Sequence, residues 1–160
     1  MPIVSNTSPI LNLAIIERLK LLRQQFGQIQ IPEVVLEELK IDEERPGSQS
    51  IQAAIADGWI KVQSVGNPSF VQLLRQTVDG GEAEAIALAL ELQAEWVLLD
   101  ERDGRRVAKS LGLQVTGVLG VLLKAKQSGD LPSLGPVVEE LNQKAGFRIA
   151  PELLTRVLQA

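Results

Sequence analysis

Four polar side chains stand where the ends of neighbouring strands would bring them together. Asn6 follows the first apolar pair of the chain, and Asp100 follows the apolar run Trp96–Leu99. Glu38 lies on an earlier helical segment, and Glu82 begins an Ala- and Leu-rich helix that leads into the Asp100 strand. Ligands of parallel α/β sheets bind beyond the carboxyl ends of the strands, so we predict that these side chains converge there.

The chemistry open to such a cluster is limited by the residue types that the chain lacks. The sequence has no His and no Cys, which excludes Ser–His–Asp triads, cysteine nucleophiles, disulfides and zinc–thiolate sites. Converging carboxylates repel one another, and a divalent cation relieves that repulsion. Oxygen ligands favour Mg²⁺ or Mn²⁺, which can activate a bound water and stabilise charge on a phosphate. The residue types therefore predict metal-dependent phosphodiester hydrolysis.

Each of these side chains also has a purely structural interpretation. Glu82 follows Asp79 at the spacing of a capping box, and Asp100 suits the N-cap of the next helix. Glu38 suits a solvated helix face, and Asn6 suits an Asx-turn. The sequence leaves these alternatives open for each residue alone. The functional interpretation depends on all four occurring together at the ends of the predicted elements.

A basic segment follows Asp100 and offers positive charge for substrate phosphates. Its cations are Arg102, Arg105, Arg106 and Lys109. We predict that the three arginines bind substrate, while Asp103 is an additional candidate metal ligand beside Glu38, Glu82 and Asp100. The alternative is an exposed helix with intrahelical pairs such as Glu101 with Arg105.

The elements that must position these residues follow from length and patterning. The chain has 160 residues, of which 45% are hydrophobic and 3% aromatic, so its core must consist of aliphatic side chains. Short aliphatic strands alternate with helices, which is typical of a buried parallel sheet. We predict one domain over residues 1–160, a three-layer α/β/α sandwich with a central, mainly parallel sheet.

The predicted boundaries come from apolar periodicity and from Pro, Gly and capping residues. Strands are predicted at Ile3–Val4, Ile29–Ile31, Trp59–Val65, Trp96–Leu99, around Val115 and at Phe147–Ile149. A first helix is predicted at Pro9–Arg18, a second helical stretch ends near Gly27, and a third helix begins at Pro32. Further helices are predicted at Ser48–Ala56, Glu82–Ala94, Glu101–Leu111, Val118–Gln127, Pro136–Lys144 and Pro151–Leu158. The connections are predicted at Asp42–Ser50, Gly66–Ser69 and Gly129–Pro136.

Charge and hydropathy limit the binding partners and the cellular location that the sequence predicts. The net charge is −4, so binding of a nucleic acid would need a local basic patch or a metal bridge. No apolar run reaches the ~18 residues of a membrane span, and the first residues do not resemble a signal peptide. We therefore expect a cytoplasmic protein without membrane contact. A nucleotide-binding domain is a weaker alternative, because no glycine-rich phosphate loop is present.

Six stretches resemble the PIN-domain superfamily, and most closely the DUF3368 group of small prokaryotic PIN-like proteins. They are Val4–Ile10, Ile31–Leu39, Gly81–Ala89, Leu98–Arg102, Gly104–Ala108 and Gly117–Leu122. Their order and spacing run through nearly the whole chain. The set is more specific for the fold than for the activity.

The resemblance implies an endoribonuclease whose four acidic positions fall on Asn6, Glu38, Glu82 and Asp100. In the family these positions bind Mg²⁺ or Mn²⁺ and cleave RNA. Many members are toxins that a small antitoxin holds inactive, and homodimers are common. Asn6 departs from the family pattern, which usually has Asp there. Because Asn keeps an oxygen ligand but loses the charge, the alternative is a catalytically degenerate module that binds RNA or protein.

Overall fold

A five-stranded sheet forms the centre of the structure, a computed structural model that describes residues 2–159. The strand order is β3-β2-β1-β4-β5, and every strand pairing is parallel. The first strand therefore lies in the middle, with Val4 opposite Gln30 on one side and Val97 on the other. The strands are β1 Ile3–Ser5, β2 Ile29–Pro32, β3 Ile60–Gln63, β4 Trp96–Leu98 and β5 Val115–Thr116.

Ten helices connect and cover these strands within the described part of the chain. They are α1 Thr7–Ile15, α2 Lys20–Phe26, α3 Glu33–Leu39, α4 Ser48–Ala56, α5 Pro68–Leu74, α6 Gly80–Glu91, α7 Arg102–Ser110, α8 Val118–Gln127, α9 Gly135–Ala145 and α10 Pro151–Gln159. Among residues 2–159, no helix has the length and apolar character needed to cross a membrane.

The core consists of two apolar clusters, because adjacent residues of a strand point to opposite faces of the sheet. Ile3 and Leu98 belong to the cluster that also contains the buried residues of α1, α2, α8 and α9. Val4 and Val97 belong to the cluster formed with α6. The predicted three-layer α/β/α sandwich is confirmed. Its parallel strands place all their carboxyl ends at one edge.

Local features account for the differences from the predicted elements. The helix predicted to reach Arg18 ends at Ile15, and Glu17 follows with a φ of 61°. Residues 68–74 form α5, for which no helix was predicted and whose first two residues fall in the predicted connection Gly66–Ser69. The Asn67 side chain caps this helix by accepting a hydrogen bond from the Phe70 N–H at 3.1 Å.

The late strand predicted at Phe147–Ile149 is wrong, because this segment connects α9 to α10. The Phe147 N–H donates to the Leu141 carbonyl at 3.0 Å. The backbone thus turns back onto the end of α9 instead of pairing with a strand. The strand was predicted from apolar character alone. In the structure, the Phe147 N–H that would pair with a neighbouring strand donates to a carbonyl of α9 instead.

Strand β4, which lies between β1 and β5, gives a direct test of this core. Leu98 is completely buried, whereas Leu73 on α5 is 59% exposed. We expect Leu98→Ala to lower the free energy of unfolding by about 2–5 kcal/mol, since it leaves a cavity. Leu73→Ala, the control, should change it by less than about 0.5 kcal/mol. Urea denaturation measures both, and equal effects would contradict the assigned core.

Candidate metal and phosphate site

Asn6 lies at the carboxyl end of β1, in the middle of the sheet edge. Its backbone N–H donates to the Leu98 carbonyl at 3.0 Å and so extends the pairing with β4. Asn6 is the N-cap residue of α1, but its side chain makes no capping hydrogen bond. The side-chain oxygen Oδ1 is buried and has no hydrogen-bond partner. The Asx-turn interpretation therefore does not account for this side chain.

Glu38 reaches the same place from the last turn of α3. Its Oε1 accepts a hydrogen bond from the Thr7 hydroxyl at 2.6 Å. Both Glu38 and Asn6 approach Gly81 at the start of α6: a β-carbon on Gly81 would lie 2.9 Å from Asn6 Oδ1 and would touch Glu38 Oε1. Glu38 is exposed along its helix, yet its carboxylate is directed to this edge of the sheet.

Glu82 stands in the first turn of α6, beside Gly81. Its backbone N–H donates to Asp79 Oδ1 at 2.8 Å, so the helix is capped by Asp79. The Glu82 side chain is only 4% exposed, and its Oε2 has no hydrogen-bond partner. This oxygen lies against Gly104 in the first turn of α7. Capping therefore uses the backbone of Glu82 and leaves the carboxylate available.

Asp100 follows β4 and has a partner for each oxygen. Oδ1 accepts from the Val118 backbone N–H at 2.9 Å, and Oδ2 accepts from the Ser8 hydroxyl at 3.1 Å. Asn12 Nδ2 in turn donates to the Ser8 hydroxyl at 3.0 Å. Asp100 does not cap α7, whose N-cap residue is Glu101. Its carboxylate instead binds the first residue of α8 and one face of α1.

Burial raises the pKa of both inner carboxyl groups. The pKa of Glu82 rises to about 8, mainly through burial, and further through the hydrogen bond and charge of Asp79 and the charge of Glu101. Burial also raises the pKa of Asp100, against the Val118 N–H, the Ser8 hydroxyl and the Arg105 charge, which favour the ionised form. A nearby cation would favour the ionised form of both groups.

Two unpaired oxygens show how far the residues at this edge of the sheet suit a divalent metal ion. Asn6 Oδ1 and Glu82 Oε2 are buried acceptors without a donor, and buried polar atoms of this kind need a partner. With Glu38 they form an oxygen-only donor set of the kind that Mg²⁺ and Mn²⁺ prefer. Across residues 2–159, however, no three acidic side chains form a group that could hold an ion. The structure thus brings Glu38 to Asn6, while Glu82 and Asp100 contact other partners along the same edge.

The predicted basic patch lies next to Asp100. A cavity of about 460 Å³ is lined by Asp100, Arg102, Arg105, Arg106 and Lys109. Arg105 is half-buried, and its Nη1 donates to the Leu99 carbonyl at 3.1 Å. The four cationic side chains that line this cavity can bind a phosphate group through charge-assisted hydrogen bonds.

Asp103 does not share the position of the other carboxylates. Its side chain is 67% exposed and pairs with Arg106 at 3.5 Å within α7. Such an exposed pair contributes little to stability. Asp103 is therefore a solvent-exposed partner of Arg106, in contrast to the buried Glu82.

Sequence reasoning missed the groups that orient the carboxylates. Thr7 and Ser8 hold Glu38 and Asp100, and Asn12 holds Ser8. A signal for Ser8 and Asn12 was present, since they are four positions apart and so share one face of α1. The partner of Asp100 on α8 had no such signal, because it depends on how α8 docks at the sheet edge.

The fold agrees with a comparison of the sequence with known families. A family model described as PIN domain, DUF3368, matches residues 2–160, and the chain belongs to this PIN-domain family. The family has a nuclease-like fold, commonly binds RNA and generally uses divalent metals. None of the curated proteins matches the chain.

The raised pKa of Glu82 makes stability depend on pH. The folded protein keeps a proton up to about pH 8 on a group whose ordinary pKa is 4.5, so this contribution to the free energy of unfolding is complete below pH 4.5 and is lost as the pH rises through 8. In metal-free buffer we expect Glu82→Gln to flatten that fall and to be more stable than the wild type above pH 8.

Urea denaturation of both proteins between about pH 5 and 9 measures this difference. Glu95→Gln is the control, because Glu95 is exposed and should leave the pH dependence unchanged. Parallel stability curves for the wild type and Glu82→Gln would contradict the assignment of Glu82 as a buried carboxyl group.

Proposed function

We propose that this chain is a divalent-metal-dependent endoribonuclease. The observation that carries the proposal is the pair of buried, unpartnered oxygens of Asn6 and Glu82 at the carboxyl edge of a PIN sheet. Two acceptors without donors, with Glu38 next to one of them, form a place for a hard cation. The basic patch beside Asp100 supplies the complementary place for a phosphate.

The roles of the residues follow from their surroundings. Glu38, Glu82 and Asp100 would hold Mg²⁺ or Mn²⁺, and Asn6 would add a neutral oxygen. When bound, such an ion would polarise a phosphoryl group and make a water a better nucleophile. As a ligand, Glu82 would act in its deprotonated form. Ser8 and Val118 keep the Asp100 carboxylate fixed between the acidic edge and the basic patch.

RNA binding depends on the local charge of α7, since the whole chain carries a net charge of −4. Arg102, Arg105 and Arg106 neutralise and orient phosphates of the RNA backbone. Arg105 is the most constrained of the three, because its hydrogen bond to the Leu99 carbonyl holds the guanidinium beside Asp100. Asp100 is therefore the residue at which the acidic edge and the basic patch meet.

Membership of the PIN family extends the proposal to partners. Many members are toxins of toxin–antitoxin pairs, so we propose a small antitoxin protein as the natural inhibitor and a homodimer as the working form. A cytoplasmic location accords with RNA as the substrate. An antitoxin that covers the α7 cations would block access to the carboxylates at the same time.

A second candidate function is an RNA- or protein-binding module that has lost catalysis. Two observations favour it: Asn6 lacks the charge of the usual Asp, and the described residues include no group of three acidic side chains able to hold an ion. The basic patch does not depend on a metal and would remain useful in such a module.

Asp100→Asn tests the nuclease directly. The substitution keeps the size of the side chain but removes its charge, so we expect it to abolish both Mn²⁺ binding and RNA cleavage. Isothermal titration and cleavage of a labelled RNA measure the two properties. Asp130→Asn, which removes a charge from an exposed position, should behave like the wild type. Cleavage that persists unchanged in purified Asp100→Asn would reject the assignment.

Asn6→Asp distinguishes the two candidate functions. The added charge should tighten Mn²⁺ binding by roughly tenfold or more, since ligand charge sets the affinity of oxygen sites. A large rise in RNA cleavage would identify the natural protein as a weakened enzyme. Asn142→Asp adds the same charge at an exposed position far along the chain and is the matched control. If Asn6→Asp changes neither property, the site does not bind an ion through this position.

A further inference from the structure

Three glycines lie directly beneath the carboxylates of the candidate site. A β-carbon on Gly81 would touch Glu38 Oε1, one on Gly104 would touch Glu82 Oε2, and one on Gly117 would touch Asp100 Oδ1. Each carboxylate therefore occupies the space that any other residue type would fill with its side chain. The three contacts involve three different helices or their caps, α6, α7 and α8.

Backbone conformation does not explain these glycines. Five other glycines have a positive φ and nothing within 4 Å of the position of a β-carbon: Gly27, Gly58, Gly112, Gly129 and Gly146. By contrast, Gly81, Gly104 and Gly117 are not among the residues with positive φ. Gly81 and Gly104 stand inside helices, where glycine is unfavourable compared with alanine. The close approach of a carboxylate is the feature that the three positions share.

We propose that Gly81, Gly104 and Gly117 are positioning residues that set the places of Glu38, Glu82 and Asp100 by having no side chain. This inference rests on the proposed function insofar as those carboxylates are its metal ligands. It is supported by the unpartnered oxygens, because Asn6 Oδ1 lies 2.9 Å from the β-carbon position of Gly81 and Glu82 Oε2 borders Gly104. A methyl group at either glycine would displace an oxygen that a cation would need.

The consequences differ between Gly81 and Gly104, because their carboxylates differ in burial. Glu38 is exposed, so its carboxylate can move away from a methyl group on Gly81 at little cost to the fold. The buried Asn6 Oδ1, 2.9 Å from the same β-carbon position, must also shift slightly. Glu82 is 4% exposed, and its Cδ lies 3.0 Å from the β-carbon position of Gly104. A methyl group there must move a whole buried side chain. Gly81→Ala should therefore impair metal binding with a small loss of stability, whereas Gly104→Ala should impair metal binding with a larger loss of stability.

The neighbouring Gly80 provides a matched control for Gly81. Both glycines stand in the first turn of α6, but a β-carbon on Gly80 would meet only the Arg75 guanidinium at 3.7 Å, an ordinary contact. Mn²⁺ binding followed by electron paramagnetic resonance should be at least about tenfold weaker in Gly81→Ala, with a loss of Tm smaller than that of Gly104→Ala. Gly80→Ala should bind Mn²⁺ like the wild type. Equal affinities in the two variants would overturn the role of Gly81.

A double-mutant cycle tests Gly104 without any metal. Gly104→Ala should lower the Tm in metal-free buffer, and adding Glu82→Asp, whose side chain is one methylene shorter, should restore part of that loss. If the wild type binds no Mn²⁺ but the rescue occurs, the proposed function fails while the positioning role of Gly104 stands. If Glu82→Asp rescues nothing, the positioning role of Gly104 is wrong, whatever the Mn²⁺ titration gives.

Discussion

Burial of carboxylates at the end of a parallel sheet is the constraint on which the rest of the structure depends. A buried charge without partners is costly, and a protein meets that cost by protonation, by hydrogen bonds or by a cation. The chain uses different solutions at neighbouring positions. Asp100 has a donor for each oxygen, whereas Glu82 has an oxygen without any donor and a pKa raised to about 8. The two carboxylates thus differ in how their oxygens are satisfied: protein donors fix both oxygens of Asp100, whereas Glu82 Oε2 has no donor.

The elements around the site have the positions that this constraint requires. The parallel strands deliver Asn6 and Asp100 to the same edge, since β1 and β4 are hydrogen-bonded neighbours. The start of α6 then brings Glu82 there, because the helix runs back over the sheet before the chain enters β4. Glycines allow the close approach, and the basic first turns of α7 compensate the negative charge on one side. Charge, packing and topology together therefore bring the polar side chains of the candidate site to one edge of the sheet.

The sequence predicted the parts of this arrangement that depend on local pattern. The aliphatic runs before Asn6 and Asp100 identified the two strand ends, and the alternation of strands and helices identified the sandwich. Contacts that form only when a helix packs onto the sheet could not be predicted from the local sequence pattern. The bond from Val118 to Asp100 spans 18 positions and depends on where α8 begins on the sheet. The same limit explains the error at Phe147, whose backbone N–H bonds to the preceding helix instead of pairing with a strand.

The place of β1 in the middle of the sheet has a consequence for biosynthesis. β1 precedes the other strands of the sheet along the chain, yet Ile3 pairs with Trp96, so the ladder between β1 and β4 cannot close until β4 has been made. Contacts between such distant residues slow folding compared with local ones. A nascent or truncated chain that ends before β4 also lacks Asp100 and one neighbour of β1. The candidate site therefore cannot be complete before that side of the sheet has been made.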